Sequence, residues 1–326
     1  MSSSFYTNVS MHGDNILHIG YENGKRFQRR VPYKPYLFLP TRNETEFSTL
    51  EGASVGKMVF DSIREARNFL RENKDVSNRP IYGMEKFVYT FMYDTYLSRG
   101  NINYDASMIV VCPIDIEVSI ANSKGFPDIQ EADNAVTLIT MGDRNRKLVA
   151  LGCGDYVNND DDVEYFKCAD EKALLRSFIE LLNSPRFLPD VITGWNVEMF
   201  DIPYLINRIT RVLGDSWAKK ISPWGLLQER RVEIMGKENQ IYVPVGITIL
   251  DYLPLYRKFA YTQQESYKLD HIAYEELGER KLEFEAEGYG SLADLEAGVV
   301  IVQENPTTLL GKQALLRSKI KDRLNK

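Results

Sequence analysis

The stretch that most constrains the fold of this chain is residues 108–118, MIVVCPIDIEV. Its first part is apolar and rich in β-branched residues, which is typical of a buried strand. Near its end, Asp115 and Glu117 occupy alternate positions, so both side chains project from the same face of the strand, about 7 Å apart. Like charges on one face of a core strand are costly to desolvate unless a cation lies between them, so this pattern favours a magnesium site. The alternative is a strand that enters solvent at its end and carries two ordinary surface charges.

The length and composition of the chain indicate a globular protein of two domains. It has 326 residues, of which 44% are hydrophobic and 26% are charged, and these values exclude a disordered or membrane-spanning class. No apolar run approaches the roughly 18 residues of a spanning helix, and the first residues lack the pattern of a signal peptide. The net charge of -6 argues against a protein coated in nucleic acid, but it allows a local basic groove.

Cysteine and histidine are too few and too scattered to predict a zinc site or a disulfide framework. The cysteines are interpreted as small buried hydrophobic residues in a reducing compartment. The histidines are interpreted as structural. The residues concerned are Cys112, Cys153, Cys168, His12, His18 and His271.

Residues 1–106 are predicted to form a β-rich N-terminal domain. The pair Asn23-Gly24 is typical of a tight hairpin turn. Residues 32–40 are aromatic and contain prolines that suit an edge strand or a connection. Residues 61–70 have the apolar spacing of an amphipathic helix. The strand-like runs are residues 5–9, 16–21 and 27–31.

Basic and aromatic residues are mixed in this first domain, and the mixture has two interpretations. Such a surface can contact a nucleic-acid strand through charge and stacking. It can also be an ordinary solvated face over a sheet, and the composition favours this second interpretation. The residues are Arg26, Arg29, Arg30, Tyr33, Lys34 and Tyr36.

Residues 107–296 are predicted to form a second domain. After the acidic strand, residues 135–141 and 147–151 indicate two further strands, and together the three predict a meander. Residues 170–182 have helical spacing. The acidic run at residues 158–162 lacks the Gly and the final Glu of a calcium loop, so it is interpreted as a solvated turn.

The second informative stretch is residues 190–214, DVITGWNVEMFDIPYLINRITRVLG. Residues 191–195 predict a strand. Asp201 as N-cap, with Pro203 in the first turn, predicts the start of a helix that ends at Gly214. The plain interpretation of Asp201 is therefore a cap contributing about 1 kcal/mol. That interpretation does not account for the polar Asn196 and the bulky Phe200 just before it.

Together these motifs resemble the 3′–5′ proofreading exonuclease of family B DNA polymerases, and in particular that of T-even-type tailed bacteriophages. Asp115-Ile116-Glu117 resembles the first motif, and residues 194–201, GWNVEMFD, resemble the second. Residues 249–259 and 266–273 match the segment that follows, and the likeness covers roughly residues 1–295. It implies an α/β (α+β) fold. In that fold a ribonuclease-H-like exonuclease domain with a mixed sheet follows the β-rich domain, in a protein without a membrane segment, located in the cytoplasm of an infected bacterial host.

The resemblance also implies roles for the acidic residues. In this family two divalent metals, Mg²⁺ or Mn²⁺, bind the scissile phosphate. Asp115 would bridge both ions, Glu117 would hold the ion that activates water, and Asp201 would approach the other ion. Catalytic and metal-binding residues would therefore be the same three.

The partner implied by the resemblance is the 3′ end of a single DNA strand, which frays more easily at a mismatch. Phe200 would stack or wedge against a base, a contact of about 1–3 kcal/mol in single-strand sites. The predicted DNA-binding residues are Trp195, Asn196 and Phe200.

The third motif of the family, a Tyr followed four positions later by an Asp, is not identified in this sequence. Tyr289 and Asp294 have the wrong spacing, and Ser318 stands where Asp322 would need a Tyr. We therefore expect one ion to bind well at Asp115 and a second to bind weakly. Residues 297–326 diverge from the family and are predicted to form a basic helical tail.

Two functions stay open from the sequence. The first is the N-terminal, proofreading portion of a phage replicative DNA polymerase, without a polymerase active site because the acidic palm motifs are not found. The alternative is a catalytically weak nucleic-acid-binding or assembly subunit of a split polymerase, completed by a second polypeptide that carries the palm, fingers and thumb. A restriction-type nuclease using Glu279-Arg280-Lys281 is disfavoured because that segment is polar and not strand-like.

Overall fold

The computed structural model describes residues 4–73, 80–97, 102, 104–119, 127–156, 161–234 and 237–280. The chain divides into two compact units between Ile109 and Val110. In chain order the strands are β1 (Ser4–His12), β2 (Asn15–Glu22), β3 (Lys25–Pro32), β4 (Tyr36–Pro40), β5 (Val55–Val59), β6 (Val111–Val118), β7 (Val136–Gly142), β8 (Leu148–Gly152), β9 (Val163–Lys167), β10 (Val191–Gly194), β11 (Leu227–Ile234), β12 (Lys237–Pro244) and β13 (Thr248–Asp251). The helices are α1 (Ile63–Asn73), α2 (Phe87–Tyr96), α3 (Glu171–Leu182), α4 (Asp201–Leu213), α5 (Asp215–Ala218), α6 (Tyr252–Phe259) and α7 (Leu269–Leu277).

The first unit is built on a three-stranded antiparallel sheet in the order β1-β2-β3. Asn23 and Gly24 both have positive φ, 52° and 79°, which is the backbone of a two-residue hairpin turn. The predicted hairpin is therefore confirmed. β4 pairs with β5 in a separate two-stranded sheet, and Phe38 of β4 also forms an isolated bridge with Tyr82. A strand in so small a sheet agrees with the edge or connection that the prolines of residues 32–40 indicated.

Helix α1 closes the core of the first unit. It buries Ile63 and Ala66 and packs Phe69 and Leu70 against that core, so the predicted amphipathic helix is confirmed, although it extends to Asn73. Helix α2 was not predicted from the sequence. The core of this unit is formed by Ile16, Leu37, Phe60, Ile63, Ala66, Phe87 and Phe91.

His18 is a buried polar residue of the first unit. Its Nε2 lies 2.6 Å from the hydroxyl of Tyr96. The rings of Phe27, Phe91 and Tyr96 meet the imidazole edge-on at centroid distances of 4.7, 5.2 and 5.7 Å. Burial, with a contribution from the charge of Arg29, lowers the pKa of His18 to about 4. This residue is structural, as expected.

The second unit contains a six-stranded mixed sheet in the order β13-β10-β6-β7-β8-β9. β6, β7 and β8 are antiparallel neighbours, which confirms the predicted meander. β9 pairs in parallel with β8 at one side of the meander. On the other side, β10 pairs in parallel with β6, and β13 pairs in parallel with β10. The carboxyl ends of β6, β10 and β13 therefore meet at one edge of the sheet, where sites in such sheets are usually built.

Helices α3 and α4 supply much of the core that packs on this sheet. Asp170 caps α3, since its Oδ1 accepts the N–H of Ala173 at 2.7 Å, and the helix predicted over residues 170–182 is confirmed. Helix α4 ends at Gly214, whose φ of 95° suits glycine. The main buried residues of the two helices are Leu174, Leu175, Phe178, Ile179, Leu182, Ile202, Tyr204, Leu205, Ile206 and Ile209.

The antiparallel hairpin of β11 and β12 was not predicted from the sequence. Its first strand exposes the polar residues 228–231, so it lacks the apolar alternation that marks a half-buried strand. Most of the acidic turn at residues 158–162 and all of the predicted tail at residues 297–326 lie outside the described residues. Of the helices in the described ranges, none is both long enough and apolar enough to cross a membrane.

Candidate active site

The edge formed by β6, β10 and β13 brings the two sequence motifs together. β10 pairs with β6 only as far as Thr193 opposite Pro113, and β6 then continues for five residues. A Cβ on Gly194 would meet the carbonyl oxygen of Ile114 at 2.6 Å, so a glycine is needed where the two backbones come together. Asp115 and Glu117 lie in the continuing part of β6, which pairs with β7 on its other side.

Asp201 lies against this continuing part of β6. Its Oδ1 accepts the backbone N–H of Ile116 at 3.1 Å, and its side chain is only 4% exposed. Ile116 separates Asp115 from Glu117 in the sequence, so the bond holds the Asp201 carboxyl beside the acidic pair. The structure thus brings together the elements that carry the three predicted acids.

The prediction that Asp201 is an N-cap is wrong. The N-cap of α4 is Phe200, and Asp201 is the first helical residue. The chain enters the helix from a tight turn in which the carbonyl of Asn196 accepts the N–H groups of Met199 and Phe200, at 3.1 and 3.0 Å. In a sequence, an Asp at the N-cap and an Asp at the next position look alike before a Pro. Here the carboxyl group reaches the neighbouring strand instead of capping its own helix.

The pKa values show how strongly the acids crowd this edge. Burial raises the pKa of Asp201 to about 7, with further contributions from the charges of Asp251 and Glu117, whereas the N–H of Ile116 opposes the rise. Burial also raises the pKa of Asp251. Burial and the charge of Asp251 raise the pKa of Glu198, and the charge of Arg230 only partly offsets this rise. The site therefore disfavours its own negative charge, as functional sites often do.

Asp251 is a site residue that the sequence interpretation missed. It ends β13, opposite Gly194 of β10, and its side chain is buried. The carboxylate accepts backbone N–H bonds from Asn196, Glu198 and Leu253. The available signal was an Asp at the end of an apolar run and directly before a helix, which places it at the same sheet edge.

The loop at residues 195–200 carries the predicted DNA-binding residues. Asn196 has a φ of 64°, a left-handed conformation that Asn tolerates better than most residues. The ring of Phe200 lies 5.6 Å from that of Tyr204. The indole N–H of Trp195 donates to the carbonyl of Tyr267 at 3.1 Å, so its polar atom is engaged within the protein. Their role in binding DNA stays a prediction.

The donor chemistry at this edge suits a hard cation, because Asp115, Glu117 and Asp201 offer only oxygen ligands. Within the described ranges, however, no group of three or more His, Cys, Asp or Glu side chains is arranged closely enough to hold an ion. The oxygen-only set thus fits Mg²⁺ or Mn²⁺ in chemical type, and the closing of these residues around an ion stays a prediction.

The residues considered for the third motif, Tyr289, Asp294, Ser318 and Asp322, lie outside the described residues. Glu279 and Arg280 follow α7 without forming a strand, and Arg280 approaches Asp270 at 3.4 Å. A restriction-type site needs its Glu-x-Lys on a strand, so this interpretation gains no support.

A meander extended by parallel strands, with acidic residues at their common edge, is the architecture of a ribonuclease-H-like exonuclease domain. The family model described as "DNA polymerase family B, exonuclease domain" matches residues 63–272. This chain therefore belongs to the family B DNA polymerases, of which it contains the exonuclease domain.

Individual relatives agree with this assignment. The chain is 32% identical over 309 residues to the DNA-directed DNA polymerase of Enterobacteria phage T4, covering 86% of this chain and 33% of the relative. It is 32% identical over 311 residues to the DNA-directed DNA polymerase of Escherichia phage RB69, covering 86% and 34%. The DNA polymerase catalytic subunit of Psittacid herpesvirus 1 is 26% identical over 197 residues, covering 56% and 18%. The chain spans about a third of the length of the two phage relatives.

Proposed function

We propose that this chain is the N-terminal, proofreading portion of a phage replicative DNA polymerase, and that it removes nucleotides from the 3′ end of single-stranded DNA. The observation that carries the proposal is the bond from the Ile116 N–H to the buried carboxyl of Asp201, which places the second motif against the first. The phage relatives support the choice of substrate class. On this proposal the chain acts in the cytoplasm of the infected bacterial host.

The proposed cofactor is Mg²⁺ or Mn²⁺ held by Asp115, Glu117 and Asp201, with one ion bound well at Asp115 and a second bound weakly. When bound, the ions would activate a water molecule and stabilise the leaving 3′ oxygen. The chain itself contributes orientation, because the Ile116 N–H fixes the Asp201 carboxyl before any ion arrives. Without a cation the crowded carboxylates would repel a DNA phosphate, so the proposal requires metal-dependent activity.

The loop at residues 195–200 is proposed to receive the DNA end. Phe200 is half-buried and packs against the core and beside Tyr204. On this proposal its ring stacks or wedges against a base, and the amide of Asn196 contacts a base or sugar edge. Trp195 supports this loop through its bond to Tyr267 and its packing on Tyr256. A frayed end reaches such a loop more easily than a paired end, which would supply selectivity for mismatches.

One observation favours a second candidate function. In the described part of the chain, no set of three acidic or other ligating side chains closes around an ion site. The same fold would then bind nucleic acid, or assemble with a second polypeptide carrying the palm, fingers and thumb, without efficient turnover.

The test is degradation of a 5′-labelled single-stranded oligonucleotide by the full chain, with and without Mg²⁺. We expect a ladder that shortens from the 3′ end, and loss of most of the activity in Asp115→Ala. Glu180→Ala, an exposed residue of α3, is the matched control and should keep the wild-type rate. Binding of the oligonucleotide without degradation would favour the second candidate, and an Asp115→Ala rate equal to wild type would refute the proposed site.

A further inference from the structure

Asp251 joins three segments of the second unit through one carboxylate. Its Oδ1 accepts the N–H of Asn196 and the N–H of Leu253, both at 2.9 Å, and its Oδ2 accepts the N–H of Glu198 at 3.0 Å. The bond to Leu253 caps helix α6. The other two bonds cross from β13 to the loop that follows β10, more than fifty residues away in the chain.

These two bonds hold the loop in a conformation that it would not readily adopt alone. Asn196 has positive φ, and its carbonyl accepts the N–H groups of both Met199 and Phe200. The N–H groups of Asn196 and Glu198 are received by the Asp251 carboxylate. Asn adopts a left-handed conformation more readily than most residues, and the bond from its N–H to Asp251 helps to hold Asn196 in it.

Capping a helix does not require so buried a carboxylate. Asp170 caps α3 through a single bond to the N–H of Ala173 and stays exposed. Asp251, by contrast, is only 5% exposed and lies close enough to the acidic Asp201 and Glu198 for its charge to act on both. Burying a carboxylate beside other acids is unfavourable for a cap alone, and the bonds to Asn196 and Glu198 are the task that distinguishes Asp251 from Asp170.

We infer that Asp251 is a positioning residue of this site: it sets the backbone of residues 195–200, and thereby the placement of Asn196 and Phe200 toward a DNA 3′ end. The inference rests on the proposed function. Asp251 acts through the loop and not as a ligand, because three of its about four acceptor positions already receive backbone N–H groups.

The test compares Asp251→Ser with Asp170→Ser in the full chain. A serine hydroxyl can still cap either helix, but at position 251 it is too short to reach the N–H groups of Asn196 and Glu198. We expect Asp251→Ser to lower kcat on single-stranded DNA by about 10- to 100-fold, as misplacement of a binding group by about 1 Å does. Asp170→Ser should keep the wild-type kcat. Equal kcat values in the two variants would mean that Asp251 serves only as the cap of α6.

A second readout does not depend on turnover. An oligonucleotide with 2-aminopurine at its 3′ end is bound to the Asp115→Ala chain, with and without Asp251→Ser, and stacking at the loop is followed by fluorescence. We expect the second substitution to restore part of the fluorescence that stacking quenches. If the wild type degrades no DNA, the proposed function fails, yet this signal still decides the role of Asp251. No difference in fluorescence between the two chains would overturn the inference.

Asp251→Asn distinguishes a loss of loop positioning from a folding defect. The amide oxygen can accept the N–H groups of Asn196 and Leu253, but the amide nitrogen then faces the N–H of Glu198. We expect kcat in the order wild type, Asp251→Asn, Asp251→Ser, with circular dichroism unchanged. A different order, or unfolding of both variants, would show a role in folding only.

Discussion

Two buried ionisable regions of this molecule treat charge in opposite ways. In the first unit, His18 lies among aromatic rings and contacts one hydroxyl, and burial lowers its pKa to about 4. The group is therefore neutral near pH 7. In the second unit, the edge that carries Asp201 and Asp251 gathers groups of the same charge, and burial raises the pKa of both.

The difference separates a structural polar group from a functional one. The His18 region is satisfied by its own neighbours, so it needs no further partner. At the acidic edge, neighbouring charges make Asp201 and Glu198 less stable as anions, and a proton or a bound cation relieves that conflict. Stability sacrificed in this way is typical of a binding or catalytic site.

Asp201→Asn is expected to have the largest effect on the acidic edge. The amide oxygen can still accept the Ile116 N–H, whereas the negative charge beside Asp251 and Glu117 is lost. We expect hydrolysis of single-stranded DNA to fall about 100- to 1000-fold, the effect of removing one charged group from a preorganised site. In a metal chelator the Tm should rise by about 2–4 °C, since roughly 1 kcal/mol of the cost of burying the Asp201 charge is relieved.

Asp190→Asn is the matched control for that variant. Asp190 is also buried, and it accepts the N–H of Val110, the residue just before β6, at 3.0 Å, but it lies just before the opposite end of β10. This control should leave the hydrolysis rate unchanged. Equal losses of activity in both variants would mean that Asp201 serves the fold and not the site.

Much of this site could be predicted from the sequence because its signals are local. Asp115 and Glu117 stand at alternate positions of an apolar strand, and Asp201 stands at the start of a strongly periodic helix. The convergence of Asp201 on β6 then followed from the resemblance to a known family. Its N-cap assignment was wrong because a one-residue difference in helix start leaves no trace in the pattern.

The role of Asp251 could not be predicted, because two of its three partners are distant in the sequence and are backbone groups. No side-chain pattern records a bond to the N–H of Asn196 or Glu198. The hairpin of β11 and β12 was missed for a different reason: its exposed polar residues follow no apolar period. Hydrogen bonds and pairings between distant backbone segments therefore could not be predicted from this sequence.

A divalent cation should stabilise the acidic edge and leave the His18 region unaffected. At an Mg²⁺ concentration about 100 times its dissociation constant, the free energy of unfolding of the binding unit should rise by about 2.7 kcal/mol. Thermal unfolding with and without chelator measures the effect. The Tm increase should disappear in Asp115→Ala and Asp201→Asn but persist in His18→Gln. An increase that survives Asp115→Ala would place the ion elsewhere.

The smallest expected effect is the pH dependence of the first unit, where His18 has a lower pKa in the folded chain than the ordinary 6.5 of the unfolded chain. As the pH falls below 6.5, the unfolded chain therefore gains this proton before the folded chain does, which favours unfolding. The stability contributed by neutral His18 is complete above pH 6.5 and is lost as the pH falls toward 4. Between pH 7 and 5 the free energy of unfolding should fall by at most about 2 kcal/mol, and residual hydration of the imidazole makes the fall smaller. Hydrogen exchange of the β2 amides, corrected for the intrinsic rate, measures it.

His18→Gln isolates this contribution, because carboxyl groups titrate over the same pH range in both chains. Gln cannot gain a proton, so the β2 amides of the variant should lose less protection between pH 7 and 5 than those of the wild type. His12→Gln, a change at an exposed position, should behave as the wild type does. An equally steep loss in His18→Gln would show that the buried imidazole does not govern this unit. The contrast with the acidic edge would then rest on the carboxylates alone.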